Sequence, residues 1–172
     1  ENDNQIIKPI GGTSESLIEE TVLAGNIYLD GSGGKNSSNP RLRACGSSWV
    51  QPIDADNCRG QHCSIPHRQT VPCAEAHALL LFLHFCYKLE QEGKQGVFRV
   101  VTDNKAVYKA VLVLCAPTSN FDMLMRKAIS MWKILIQAGW VLTIAKVKSH
   151  CTQADVDSCL ISQDDMEGNN LA

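Results

Sequence analysis

Apolar and polar positions along the chain change period between residues 70 and 72. Before that point the runs are short and rich in β-branched or aromatic residues: "GNIYLDGS" (25–32), "RACGSSWV" (43–50) and "GQHCSIPHRQT" (60–70) each read as a strand. "QPIDADN" between the last two is made of turn formers, so three strands on short connections predict an antiparallel meander. From Val71 to Gly93 the apolar set recurs at helical spacing, with Pro72 in the first turn and Gly93 as the stop. "GVFRVVTD" (96–103) is almost continuously apolar, as a central strand buried on both faces requires. A short helix over 104–115, a longer one over 120–139 and a last strand over 140–149 complete the pattern. The order β-β-β-α-β-α-α-β implies an α/β fold whose mixed sheet has an antiparallel edge joined to a parallel part through right-handed crossovers.

Residues 1–24 are polar, broken by "GGTSES", and read as a tail or linker; residues 25–172 read as one domain. The 172 residues, 44% hydrophobic and 20% charged, suit a single soluble domain with a real core. No apolar run is long enough to cross a membrane, and the start lacks a signal-peptide layout. The chain begins "ENDNQ" without Met and stops at "GNNLA", so it is expected to be a fragment of a longer protein. Its eight cysteines are scattered through predicted strands and helices, where free Cys acts as a small apolar residue; an intracellular setting, nucleus or cytoplasm, is expected.

A net charge of −2 does not mark a nucleic-acid binder. Any such partner needs a local patch. From Met123 through Ser149 no Asp or Glu occurs, while Arg126, Lys127, Lys133, Lys146 and Lys148 all do. This is either a positive surface or an ordinary solvated helix and strand edge.

Three carboxylates stand in unusual places. Glu75 lies on one helical stripe with Leu79, Phe82, Cys86 and Leu89, so it should point at the sheet; it could also simply favour the helix N-terminus. Asp103 ends the apolar strand, where ligands of open α/β sheets bind, and is equally placed to cap the next helix. Asp30 closes the first strand ahead of Gly31, Ser32, Gly33 and Gly34, as a site residue or a turn aspartate. If the first strand neighbours the one ending in Asp103, all three converge. Clustered carboxylates repel unless cations sit between them, and hard oxygen donors suit Mg²⁺ or Mn²⁺. Two such ions, about 4 Å apart, clamp the attacking and leaving oxygens of a phosphodiester displacement.

The ordered motifs "YLDGSGG", "QTVPCAEAHALL", "VVTDNKAV" and "AKVKSH" resemble the ribonuclease H family from about Asn26 to the C-terminus. The resemblance implies a five-stranded mixed sheet, three antiparallel strands followed by parallel ones, flanked by helices. It also implies cleavage of the RNA strand of RNA/DNA hybrids with two Mg²⁺ or Mn²⁺ ions per site. By position, Asp30, Glu75 and Asp103 match the family's metal-binding carboxylates, and His150 matches the histidine of the loop after the last strand, associated with proton transfer or product departure. Gly31, Ser32 and Asn104 fall where family members contact the sugar-phosphate backbone. A hybrid-specific enzyme senses ribose 2′-hydroxyls with short polar groups and amides.

One departure is at the end. The family's fourth carboxylate follows a pattern like Gly-Asn-x-x-Ala-Asp, and "GNNLA" stops one residue before it; Asp164, Asp165 and Glu167 do not match. The stretch from Cys151 to Glu167 is longer than the compact loop of bacterial enzymes and resembles retrotransposon-type domains, which makes a fused or associated reverse transcriptase the expected partner of a monomeric domain. The alternative is a catalytically impaired module that binds nucleic acid or a partner. A sugar-kinase or actin-like ATPase needs two lobes, and an integrase-type triad ends in a late helical Glu. Cys58, His62, Cys63, His67 and Cys73 have no structural-zinc spacing. Trp132 falls on an apolar stripe with Met125, Ile129 and Ile136, which assigns it to helix packing rather than base stacking.

Overall fold

Strand β1 (Ala24–Ser32) lies at the centre of a five-stranded sheet and β2 (Gly46–Pro52) pairs with it antiparallel. The computed structural model describes residues 23–34, 38–39, 43–66, 69–115 and 122–172. β3 (Cys58–Ser64) pairs antiparallel with β2, while β4 (Val97–Thr102) runs parallel to β1 and β5 (Val141–Lys146) parallel to β4. The order is β3-β2-β1-β4-β5, the mixed sheet that the element order implied.

The largest boundary differences from the sequence reading are in β2 and β3. β2 begins three residues late, and β3 runs from Cys58 to Ser64 rather than from 60 to 70. The Asp54 carboxylate accounts for the early start of β3: it accepts from the amides of Asp56 and Asn57, at 2.9 and 3.0 Å, and closes a tight turn from which the strand starts. At the other end Thr70 is not strand but the N-cap of α1 (Val71–Gln91), its hydroxyl accepting from the Cys73 amide. The proposed tail ends outside the described residues except at Leu23 and Ala24, and Ala24 already belongs to β1.

Helix α1, α2 (Lys105–Leu112) and α3 (Asp122–Gln137) share one face of the sheet. Their core is aromatic at its centre: Trp49, Phe82, Phe98 and Trp140 follow one another at ring separations of 5.6, 5.4 and 6.1 Å. The predicted α1 stripe holds, with Leu79, Phe82 and Cys86 fully buried. On α3 Met125, Ile129 and Trp132 are buried as predicted, but the buried face, which also takes in Leu124, Ala128 and Leu135, is centred to one side of that stripe and leaves Ile136 exposed at its margin. Trp132 is packing, as its spacing implied.

The residues after β5 are helical where the sequence reading left an unassigned stretch. α4 (Gln153–Asp157) begins at a capping box, the Asp155 carboxylate accepting from the Thr152 amide and hydroxyl, both at 2.9 Å. α5 (Gln163–Leu171), capped by Ser162, covers the other face of the sheet over Tyr28, Val101 and Val147. Gly168 makes that contact possible: a Cβ there would lie 2.1 Å from the Tyr28 ring. Tyr28 cannot retreat, since it is buried and its hydroxyl donates to Asp165. Gly168→Ala is therefore expected to cost about 1–3 kcal/mol, the range for overpacking a filled site. Thermal melts should show a fall of roughly 3–10 °C at this chain length.

Candidate active site

Asp30 and Asp103 are brought level by strand register. Leu29 lies opposite Thr102 in the parallel pair, so the next residue on each strand is a carboxylate at the same height of the sheet. Asp103 is not the helix cap. That role belongs to Asn104, whose Oδ1 accepts from the amides of Ala106 and Val107 at 2.9 and 3.1 Å. The turn is fixed from behind by buried Thr102, whose hydroxyl accepts from the Asn104 amide at 3.0 Å. Sequence reasoning passed over Thr102, although Thr-Asp-Asn after an apolar strand is the signal of such a turn.

Glu75 arrives from the first turn of α1. Its approach depends on Gly31: a Cβ at Gly31 would stand 2.5 Å from the Glu75 amide nitrogen and 2.9 Å from its Cγ. The glycine thus makes room for the helix, and through it for the carboxylate. Glu75 is only 4% exposed, and its Oε2 is buried with no hydrogen-bond partner. Burial first, then the charges of Asp103 and Asp30, push its pKa from about 4.5 up to about 9 against the opposing Gly31 amide. Asp30 is also raised, by burial and then by Asp103, with the Gly31 amide and His150 acting the other way. These couplings place Asp30, Glu75 and Asp103 in one locality.

His150 sits beside that locality with a left-handed backbone, φ +52°, on an exposed turn. Two contacts hold the turn. Lys148 pairs with Asp155 at 2.7 Å, and the Cys151 thiol donates to the Lys148 carbonyl. Ser32 is exposed and its hydroxyl accepts from the Gly34 amide at 3.1 Å.

The carboxylates near the chain's end do not join the three. Asp165 is held by Arg99 in a two-point pair, 2.6 and 3.0 Å, and by the Tyr28 hydroxyl. Burial alone would raise its pKa; the Arg99 bonds and charge override this and leave it lowered. The residue that follows α5 does, however, reach the site: the Ala172 carbonyl accepts from Ser48, the cross-strand partner of Asp30. Among the described residues no three His, Cys, Asp or Glu side chains are closed into a set ready to hold a metal ion. His67 of the cysteine and histidine cluster lies outside the described residues, and His62 and Cys63 alternate across β3.

The donor set nonetheless fits a hard divalent cation. It consists of carboxylate oxygens alone, one of them buried and unanswered, with Asp30 and Glu75 raised by burial and then by the charge of Asp103. Asp30, Glu75 and Asp103 are the residues that would hold it.

No protein-family model matches the chain, and no curated protein matches it by sequence. Solved structures do. The prototype foamy virus ribonuclease H domain superposes with a TM-score of 0.59 at 18% identity, over 86% of this chain and 88% of that one. Ribonuclease H1 of the halophilic archaeon Halobacterium salinarum gives 0.53 at 19%, over 73% and 86%. The foamy viral protease-reverse transcriptase in complex with an RNA/DNA hybrid gives 0.51 at 15%, over 98% of this chain and 22% of that one. Strand order, helix placement and these superpositions agree: the chain has the ribonuclease H-like fold.

Proposed function

We propose that this domain hydrolyses the RNA strand of RNA/DNA hybrids. The observation that carries the reading is the convergence of Asp30, Glu75 and Asp103, from β1, α1 and the end of β4, with a buried carboxylate oxygen left without a partner. Mg²⁺ or Mn²⁺, two ions per site, would supply the charge that steadies the attacking and leaving oxygens of the displacement. Asp30, Glu75 and Asp103 would hold the ions. His150, exposed beside Asp30, moves a proton or eases product departure. Ser32, Asn104 and the Gly31 backbone lie along the same edge and meet the sugar-phosphate backbone, with little dependence on base sequence. The likeness to a foamy viral ribonuclease H domain supports a domain joined to, or working beside, a reverse transcriptase.

The test is an end-labelled hybrid incubated with the 172-residue chain and Mg²⁺ or Mn²⁺, with DNA and RNA duplexes as controls. Cuts confined to the RNA strand of the hybrid are expected, and their absence both from this chain and from a version carrying an aspartate after Ala172 would overturn the nuclease reading. The diversion of Asp165 to Arg99 favours a second reading, a module that binds hybrids without cutting them. An aspartate joined after Ala172, beside Ser48, separates the two. It should raise cleavage at least tenfold if the three carboxylates form a working site, and leave a binding module inert.

A further inference from the structure

α5 approaches the carboxylate site on narrow supports. Its nine residues include Gly168, Asn169 and Asn170, poor helix formers, and helices shorter than about 12–15 residues are marginal on their own in water. The helix therefore lies where its contacts put it. A groove of about 340 Å³ opens beside Glu167 and Leu171, and another of about 550 Å³ beside Ser162 and Asp165, so the seam between α5 and the sheet is thin.

Asp165, Gly168 and Ala172 are spaced three and four and share the stripe that faces the sheet. Gly168 lies against the Tyr28 ring, and the Ala172 carbonyl accepts from Ser48. The glycine permits close approach but has no side chain to interlock, and the Ser48 bond ties only the far end. Asp165 supplies what these lack. It is 8% exposed and accepts two N–H donors of the Arg99 guanidinium, at 2.6 and 3.0 Å, besides the Tyr28 hydroxyl. A two-point bond fixes angle as well as distance. Arg99 lies on β4 four residues before Asp103, roughly 13 Å along the strand, so it is no ligand of the site. From Asp165 to Ala172 the helix is an arm of about 10 Å, and a tilt of about 20° at the pair would swing its end by roughly 3–4 Å. A misplacement of about 1 Å already costs an active site on the order of 100-fold.

We propose that Arg99, acting through Asp165, is a positioning residue of the carboxylate site. It sets the angle at which α5 lies, and so whether the chain at Ala172 is held beside Ser48 and Asp30, where a carboxylate added after Ala172 can join the other three. The inference rests on the reading of Asp30, Glu75 and Asp103 as a hydrolytic site.

Two measurements test it, each on Arg99→Gln and on Arg99→Lys, which keeps the charge but not the two-point bond. In the 172-residue chain, nuclear Overhauser contacts between Ala172 and Ser48 are expected in the parent and lost in both variants, while contacts within the α1 core stay. This arm needs neither metal nor substrate, so its outcome is separate from that of the nuclease reading. In the chain with an aspartate after Ala172, both variants should cut the gain in hybrid cleavage from about tenfold to below about threefold and raise the Mg²⁺ concentration for half-maximal rate, with the KM for hybrid unchanged. Arg99→Lys should do so with the parent's melting temperature. Contacts between Ala172 and Ser48 that persist in both variants would overturn the proposal. So would a full gain in Arg99→Lys, or the same fractional loss of cleavage with and without the added aspartate, which is what a merely destabilising change would give.

Discussion

Asp103→Asn is expected to lower cleavage of the RNA strand by about 10³-fold, the scale of removing one charge from a preorganised site, while leaving the melting temperature unchanged or slightly raised. The two halves of this result belong together. Asp103 occupies a place where an ordinary N-cap would be expected, and a cap tolerates Asn as well as Asp. If capping were its role, the substitution would be silent in both measurements. The cap is Asn104, with two amides on its Oδ1, so Asp103 has no structural debt of that kind. What it does supply is negative charge that raises both Asp30 and Glu75. Removing that charge relaxes the two neighbours and takes a ligand from the site. Asn104→Ala is the matching control: about 1 kcal/mol of stability should go with cleavage largely kept. Hybrid cleavage by Asp103→Asn at the parent rate would remove Asp103 from the metal set.

The same pair of residues shows what the sequence could and could not reveal. Asp103 and Asn104 are adjacent, and both are good caps; only the backbone geometry after Thr102 decides which one is used. The sheet was more legible, because its central strands are long apolar runs and α1 has a regular stripe through Leu79, Phe82 and Cys86. β3 was misplaced because "SIPHRQT" has strand-like composition, yet Thr70 serves α1 and the Asp54 turn moves the strand's start forward. Convergence of the carboxylates followed once β1 and β4 were read as neighbours. The part of Gly31 did not follow. Gly31 matched a position that contacts substrate, but that its missing Cβ makes room for the backbone of Glu75 could not be read from the sequence. Such a contact is between residues 44 apart in the chain, and no local pattern encodes it. Arg99, Asp165 and Tyr28 are likewise remote from one another in the chain, which is why a half-buried ion pair under α5 was invisible until the fold joined them.

Glu75→Gln is expected to raise the melting temperature of the metal-free protein at pH 8 by at least about 5 °C, or ~2 kcal/mol at this chain length, and to abolish hybrid cleavage. The sign follows from the protons. The folded state holds the Glu75 proton up to about pH 9, whereas an unfolded chain releases it near 4.5. Between those values the native state binds more protons, so stability falls as pH rises across the window and levels off on either side. Glutamine carries no such proton. The variant's melting temperature should therefore part from the parent's progressively above pH 4.5 and match it below. An uncompensated buried carboxylate costs several kcal/mol, and Oε2 of Glu75 has no partner to offset it. A divalent cation would offset the charge of the ionised carboxylates at pH 8, so Mg²⁺ should raise the parent's melting temperature and leave Glu75→Gln nearly unmoved. A parent protein with a flat profile from pH 5 to 9, or an equal Mg²⁺ response in both proteins, would mean that Glu75 is satisfied without a metal. The assignment of the three carboxylates to a metal centre would then fall, even if the fold stood.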